Sequence, residues 1–341
     1  MWVEWGHMPP FLFGDAMGFD YRDLTPDLIL DALAQSGLVV DSGLIELNSY
    51  ENRVYQFQDE SRRRFVVKFY RPARWSREQI LEEHEFARQL AAEEIPVAVP
   101  LTFDGESLLE YQGFHYALWP SLGGRQFEVD NLDQLEAVGR CLGRLHQVSQ
   151  SRPFHCRPQL DVATMLEAPR QLLAAGEWLP RALAKPFFGV LDELIAHVRE
   201  QMTLPVEQIA LHGDCHPGNI LWRDGPLLVD FDDCSTGPAI QDLWMLLSGD
   251  RQEKLLQLDT LLCGYEEFME LDRRELRLIE PLRAMRMVHY MGWLARRWSD
   301  AAFPRHFPWF NTAGYWEQQL KALQDQLLVL REPPLSLTQG W

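Results

Sequence analysis

The sequence predicts an α+β fold in two lobes: a small antiparallel sheet with one pair of helices, then a larger and mostly helical part. Three observations lead there. Between residues 44 and 70, three short apolar-rich runs (44–47, 54–57 and 65–70) are separated by polar turns, the spacing of an antiparallel meander. Beyond residue 121, apolar residues recur at helical spacing, as in Leu132, Leu135, Val138, Leu142 and Leu145. A hairpin interrupts those helices, with runs 220–222 and 227–229 flanking Arg223-Asp224-Gly225-Pro226; Asp-Gly between apolar runs favours a tight turn.

Composition narrows the function. A chain of 341 residues can bury the core of two lobes. A formal net charge of -18 speaks against nucleic acid or an anionic membrane as partner and suits a neutral or cationic substrate. Five cysteines at scattered spacings, with no Cys-x-x-Cys pair, point to a reducing, cytoplasmic setting. No apolar run approaches a membrane span, and the chain is expected to act as a monomer.

Residues 1–23 read as an N-terminal extension. Glu4, Pro9, Pro10 and Asp15 interrupt any secretory core, so residues 1–19 are either a flexible extension or sequence ahead of a true start at Met17. Thr25-Pro26-Asp27 opens a helix filled by Leu28, Leu30, Ala32 and Leu33 and ended by Gly37. After the third strand comes a helix carrying Glu82-Glu83-His84-Glu85, then two more strand-like runs, 108–111 and 113–119. The break at Pro120-Ser121-Leu122-Gly123-Gly124, followed by a helix, reads as a hinge. It divides residues 24–120, the first lobe, from 121–341. Three helices are expected after residue 255. The long one, 276–298, holds Arg283, Arg286, Arg296 and Arg297, expected to pair internally with Glu280 and the Asp232/Asp233 region. The aromatic stretch 303–310 is expected to line the substrate side.

The chemistry gathers around the hairpin. Asp214 and Asn219 precede its first strand, and Asp230 ends its second. A carboxylate, an amide and a second carboxylate at one edge suit phosphoryl transfer, in which a base orients a hydroxyl and two oxygen ligands hold magnesium.

His212-Gly213-Asp214 with Asn219 and Asp230 resembles the catalytic segment of the aminoglycoside-phosphotransferase-like kinases, relatives of the eukaryotic protein kinases. The resemblance implies a protein-kinase-like fold using ATP and Mg2+. It implies Asp214 and Asp230 as the catalytic pair, Asp214 as base, and Asn219 and Asp230 as metal ligands. Lys68 takes the place of the strand lysine that aligns the phosphates, steadied by a helix glutamate. Family spacing favours Glu83 for that partner, with Glu82 as the alternative. The loop 48–52 lacks a Gly-x-Gly-x-x-Gly, so Ser49 would touch the phosphates, and the backbone from Trp119 to Ser121 would carry the adenine. Asp242 would brace the catalytic loop, while His212 and His146 read as structural. Only a short stretch, ending at Gln241, separates Asp230 from Asp242, which leaves no room for a phosphorylated activation segment.

A closer resemblance extends from about Leu24 to the C-terminus. Leu47-Asn48-Ser49-Tyr50-Glu51-Asn52-Arg53, Val67-Lys68-Phe69-Tyr70-Arg71-Pro72, Ile279-Glu280-Pro281-Leu282-Arg283-Ala284-Met285-Arg286 and Glu332-Pro333-Pro334-Leu335 are similar to the bacterial stress response kinase A family. That implies a cytoplasmic serine/threonine protein kinase that phosphorylates itself and a protein substrate. A small-molecule hydroxyl kinase shares the core motifs and is the alternative.

Other readings use less of the chain. Asp230-Phe231-Asp232 also fits the Asp-x-Asp of dehalogenase-type phosphatases, but helices follow it where that fold needs a parallel sheet. His212-x-Asp214-x-His216 could begin a metal-hydrolase cluster, but further ligands at motif spacing are missing. A nucleotide-binding module without catalysis would have no need of Lys68, Asp214, Asn219 and Asp230 together.

Overall fold

The structure is a computed structural model and describes residues 21–337; the two readings of residues 1–19 fall outside them. Helix α1 (Pro26–Gln35) begins where the sequence places it. The Thr25 hydroxyl accepts the Leu28 N–H at 3.2 Å, and Pro26 sits in the first turn, where an N–H has no intrahelical partner. Its buried residues are Ile29, Ala32 and Leu33. Leu30, expected inside, is exposed, because the stripe runs i, i+3, i+4 from Ile29.

Strands β1 (Ile45–Glu46), β2 (Arg53–Gln58), β3 (Arg64–Phe69), β4 (Leu109–Tyr111) and β5 (Phe114–Pro120) form an antiparallel sheet in the order β1-β2-β3-β5-β4. The first strand, expected over four residues, is only two long. Alternation sorts the side chains of this sheet. Phe57, Phe65, Val67, Phe69, Phe114, Tyr116 and Leu118 point one way and bury against α1. Val54, Gln56, Val66, Lys68 and Trp119 point the other way and line a cleft. Helix α2 (Arg77–Ala92) follows β3, its start fixed by a capping box between Ser76 and Gln79.

The chain does not pass straight from Pro120 into a helix. A short strand β6 (Arg125–Gln126) first pairs with the later hairpin, Arg125 opposite Trp222. Then come α3 (Leu132–Ser149), a π-helical turn (Ala163–Glu167) leading into α4 (Ala168–Ala175), and α5 (Arg181–Gln201). Strand β7 (Ile209–Leu211), the hairpin β8 (Ile220–Trp222) and β9 (Pro226–Leu228), and β10 (Ser235–Gly237) follow. The rest is α6 (Gln241–Trp244), α7 (Arg251–Tyr265), α8 (Ile279–Arg297), α9 (Ala302–His306) and α10 (Ala313–Val329). The helix expected from 276 starts at Ile279, after a 3-10 turn, with Pro281 tolerated in its first turn.

Helices α3 and α7 approach closely enough to exclude side chains. A Cβ added to Gly139 would lie 2.1 Å from the Leu261 carbonyl oxygen, and one on Gly264 would lie 2.0 Å from that of Glu136. The stretch 303–310 does not line the cleft. Phe303, Phe307 and Phe310 are buried in the same cluster as Trp293 and Trp316. Among the described residues no helix is long and apolar enough to cross a membrane.

Candidate active site

The cleft encloses about 440 Å³ between the sheet and the hairpin. Residues 96–98 fasten the hairpin to the end of α2: the Leu228 N–H donates to the Pro96 carbonyl at 2.9 Å and the Ala98 N–H to the Leu228 carbonyl at 2.9 Å. The Asp224-Gly225 turn takes the positive φ values (57° and 152°) that a tight hairpin demands. Register pairs Ile220 with Leu228 and Trp222 with Pro226, so the second strand begins one residue earlier than expected.

That hairpin brings the three expected groups together. His216 caps a 3-10 turn, its Nδ1 accepting the Gly218 N–H at 2.9 Å, and the turn delivers Asn219. The Asn219 amide nitrogen donates to the Asp214 carbonyl at 3.0 Å and lies 3.5 Å from its Oδ2. Past β9, Asp230 adopts φ +62°, a conformation non-glycine residues rarely hold, and its half-exposed carboxylate enters the cleft. Below them Asp242 is wholly buried and accepts the N–H groups of His212 and Gly213, both at 2.8 Å. His146 holds Asp242 at 3.0 Å and the Tyr265 hydroxyl at 2.8 Å. Gly213 (φ +84°) has no room for a side chain, since a Cβ would sit 2.1 Å from the Asp233 carbonyl oxygen. His212 turns its Nε2 to the Val229 carbonyl at 3.0 Å, which makes it a packing residue and not a metal ligand.

Lys68 arrives from the opposite wall. It faces Ala117 across β3 and β5, and that small neighbour leaves its stem room. Its ammonium lies 3.0 Å from Asp230, 3.6 Å from Asp232 and 3.9 Å from Glu83. Burial opposes its charge, but Asp230, Asp232 and Glu83 together raise its pKa well above the ordinary lysine value. Glu83 is buried and pushed up to about 7 by that burial, with Lys68 pulling the other way. Glu82 turns elsewhere: its carboxylate accepts the N–H groups of His155, Cys156 and Arg157 at 2.6, 2.8 and 2.6 Å.

The remaining expected contacts lie around the same cavity. Ser49, Trp119 and Ser121 all line it. The Ser121 N–H, however, already donates to the Arg64 carbonyl at 2.8 Å, and its hydroxyl accepts from Gln56 at 2.7 Å. Asn52, in the same loop as Ser49, donates to Asp232 at 2.9 Å and accepts the Arg71 N–H at 3.1 Å. Its neighbour Glu51 is buried and bound by Trp293 Nε1 and Arg297 at 2.7 Å each, tying the loop 48–52 to α8. Burial would raise the Glu51 carboxyl, but Arg297, Arg71 and Arg74 outweigh it and hold the group at about 2.

Two arginines of α8, Arg286 and Arg297, pair differently from the expectation. Arg283 does meet Glu280, at 3.1 Å. Arg297 meets Glu51, and Arg286 meets Asp214 Oδ1. Asp232 and Asp233 are met by Arg74, which follows β3. Burial would raise the Asp214 carboxyl, yet Arg286 and then His216 hold it well below the usual carboxylate range.

Residues 44–279 match the family model described as the phosphotransferase enzyme family. The chain is 56% identical over 320 residues to serine/threonine protein kinase RdoA of Salmonella typhimurium, covering 94% of this chain and 98% of that protein. It is 56% identical over 324 residues to stress response kinase A of Escherichia coli, with the same coverage. The chain belongs to the phosphotransferase family, in its stress response kinase A branch. It is a phosphotransferase. Solved structures agree on the fold. An amicoumacin kinase in complex with AMP-PNP, Ca2+ and Ami has a TM-score of 0.68 at 21% identity, over 86% of this chain and 92% of that one. The choline kinase LicA of Streptococcus pneumoniae has a TM-score of 0.62 at 15% identity, over 89% and 98%.

The residues present fit a hard divalent cation. Asp230 offers a half-exposed carboxylate and Asn219 an amide oxygen, and the buried Asp232 Oδ1 has no hydrogen-bond partner among the described residues. Sequence reasoning missed the supports of this site: Glu51, Arg74 and Arg157. Arg157 donates through Nε to the Cys234 carbonyl at 2.9 Å and through Nη2 to that of Asp232, beneath the loop that presents Asp230. One signal was available, since Arg71 and Arg74 directly after an apolar strand are out of place on a surface this acidic.

Proposed function

We propose that this phosphotransferase is a cytoplasmic, ATP- and Mg2+-dependent serine/threonine protein kinase of the bacterial stress-response type, monomeric and capable of phosphorylating itself. The observation that carries the reading is Lys68, held within 4 Å of Asp230 and Glu83 across a cleft that also holds Asp214 and Asn219. The 56% identity to a protein named as a serine/threonine kinase supports the protein acceptor. The five cysteines, all free, suit a reducing compartment.

In this reading Lys68, steadied by Glu83, aligns the nucleotide phosphates, and Ser49 touches them from the loop above. Trp119 and the hinge backbone receive the adenine. With the Ser121 N–H engaged by Arg64, any hinge donor to the base comes from elsewhere. Asp230 and Asn219 hold the metal, whose contribution when bound is to neutralise charge on the phosphate oxygens. Asp214 orients the acceptor hydroxyl. The acceptor oxygen forms a bond to the γ-phosphorus, the bond to the β–γ bridging oxygen breaks, ADP departs with that oxygen, and the hydroxyl proton passes to Asp214. A base held this acidic suits a transfer in which bond breaking leads and the proton leaves late. Catalysis is then positioning and charge compensation.

The test is γ-labelled ATP with the pure protein, a generic protein acceptor and a panel of amino alcohols. Label on protein hydroxyls, the chain's own included, supports the reading. Label on a small alcohol alone replaces it with the small-molecule kinase.

A further inference from the structure

Helix α8 places Arg286 directly on Asp214. Its Nη1 meets Asp214 Oδ1, and its side chain is mostly buried. The other face of the carboxylate is bordered by polar neighbours: Asn219 Nδ2 and His216 Nε2 each lie 3.5 Å from Oδ2. The remaining guanidinium N–H groups make no further hydrogen bond among the described residues. An acceptor hydroxyl seated on Asp214 therefore arrives beside a fixed positive charge.

We propose that Arg286 is an acceptor-selectivity residue, excluding hydroxyl compounds that carry an ammonium group next to the reacting hydroxyl. This rests on Asp214 being the residue that receives the acceptor. The physical reason is local. A vicinal amino alcohol places its ammonium only about 4 Å from its hydroxyl, so it cannot reach the base without entering the field of the guanidinium. It also finds the nearest carboxylate already compensated. A serine or threonine side chain carries no such charge and meets no such barrier. The overall charge of -18 draws cations toward the molecule, but over a longer range than the contact that decides reaction. Selectivity is thus set by repulsion built against the wrong acceptor as much as by attraction to the right one.

The experiment measures kcat/KM with Mg-ATP for three acceptors: a serine peptide flanked by glutamines, the same peptide with lysines adjoining the serine, and ethanolamine. It uses the full chain as wild type, Arg286→Lys, Arg286→Gln and Arg286→Glu. The wild type and Arg286→Lys are expected to favour the glutamine peptide over the lysine peptide by about ten-fold or more, with ethanolamine poorer still. Arg286→Gln should shrink that ratio and Arg286→Glu invert it, whatever either variant does to the absolute rate. A wild type that prefers the lysine peptide or ethanolamine overturns the proposal, and so does a ratio unchanged in Arg286→Glu. Should the charge-reversed variant not fold, the wild-type ratio and its persistence in Arg286→Lys still decide. Transfer that survives Asp214→Ala unchanged removes the acceptor site itself, a failure separate from a wrong ratio at a working base.

Discussion

Glu82 and Glu83, adjacent on α2, serve different sides of the helix. Glu83 faces Lys68 at 3.9 Å, while Glu82 gathers three backbone N–H groups of the loop 155–157. A step of one residue turns a helix by about 100°, so neighbours cannot share a partner. The two carboxylates should therefore fail differently. Glu83→Gln is expected to raise the KM for ATP and lower kcat by about ten- to a hundred-fold, with modest loss of stability. Glu82→Gln should leave Lys68 in place and act mainly on stability, by about 1–3 kcal/mol. Steady-state kinetics beside urea unfolding separate them; equal kinetic effects would contradict the division.

Asp242 carries the loop that presents Asp214 from below. Asp242→Ala leaves the His212 and Gly213 N–H groups without an acceptor in a dry interior and removes one of the two partners of His146, leaving it only the Tyr265 hydroxyl. About 3–5 kcal/mol of stability should be lost. Asp242→Asn keeps one acceptor and should cost less. The urea midpoints of the two variants check this, and a silent Asp242→Ala would show that the brace is unimportant.

Glu51 gives a pH signature. Its folded pKa, about 2, lies below the unfolded value near 4.5. Between those values the unfolded chain binds more protons, so stability rises with pH there. The contribution is complete above the unfolded pKa and is lost as pH falls toward the folded one. Its size is about 3 kcal/mol. Glu51→Gln should be less stable than wild type by about that amount at neutral pH, with the gap closing as pH drops below about 4.5. A gap that stays constant with pH would mean that the charge of Glu51 is not what secures the loop.

The α3–α7 contact predicts a packing defect. Gly139→Ala would put a methyl group 2.1 Å from the Leu261 carbonyl oxygen, and only backbone movement can relieve that. Destabilisation of about 1–3 kcal/mol is expected, against the usual gain from replacing glycine within a helix. A thermal melt decides the sign.

Much of this fold was legible because its signals are local. The Asp-Gly turn fixed the hairpin, Thr25-Pro26 fixed the start of α1, and Lys68 stood out as a charged residue inside an apolar strand. Asp214, Asn219 and Asp230 sit within a few residues of that hairpin, so their convergence followed from it. The contacts that sequence reasoning missed join distant residues. Arg286 reaches back 72 positions to Asp214, and Arg297 reaches back 246 to Glu51. Periodicity states which face of α8 is buried, not which carboxylate each arginine meets. The short strand β6 escaped for a related reason: two residues carry no period, and only their pairing with β8 makes them a strand.

The decisive measurement is a paired assay on Asp214→Asn: Mg-ATP affinity by calorimetry and phosphoryl transfer under single-turnover conditions. ATP affinity within about three-fold of wild type, with transfer slowed by about a hundred-fold or more, is the expected result. Transfer at the wild-type rate would contradict the central claim, because the hydroxyl would then be oriented by some other group.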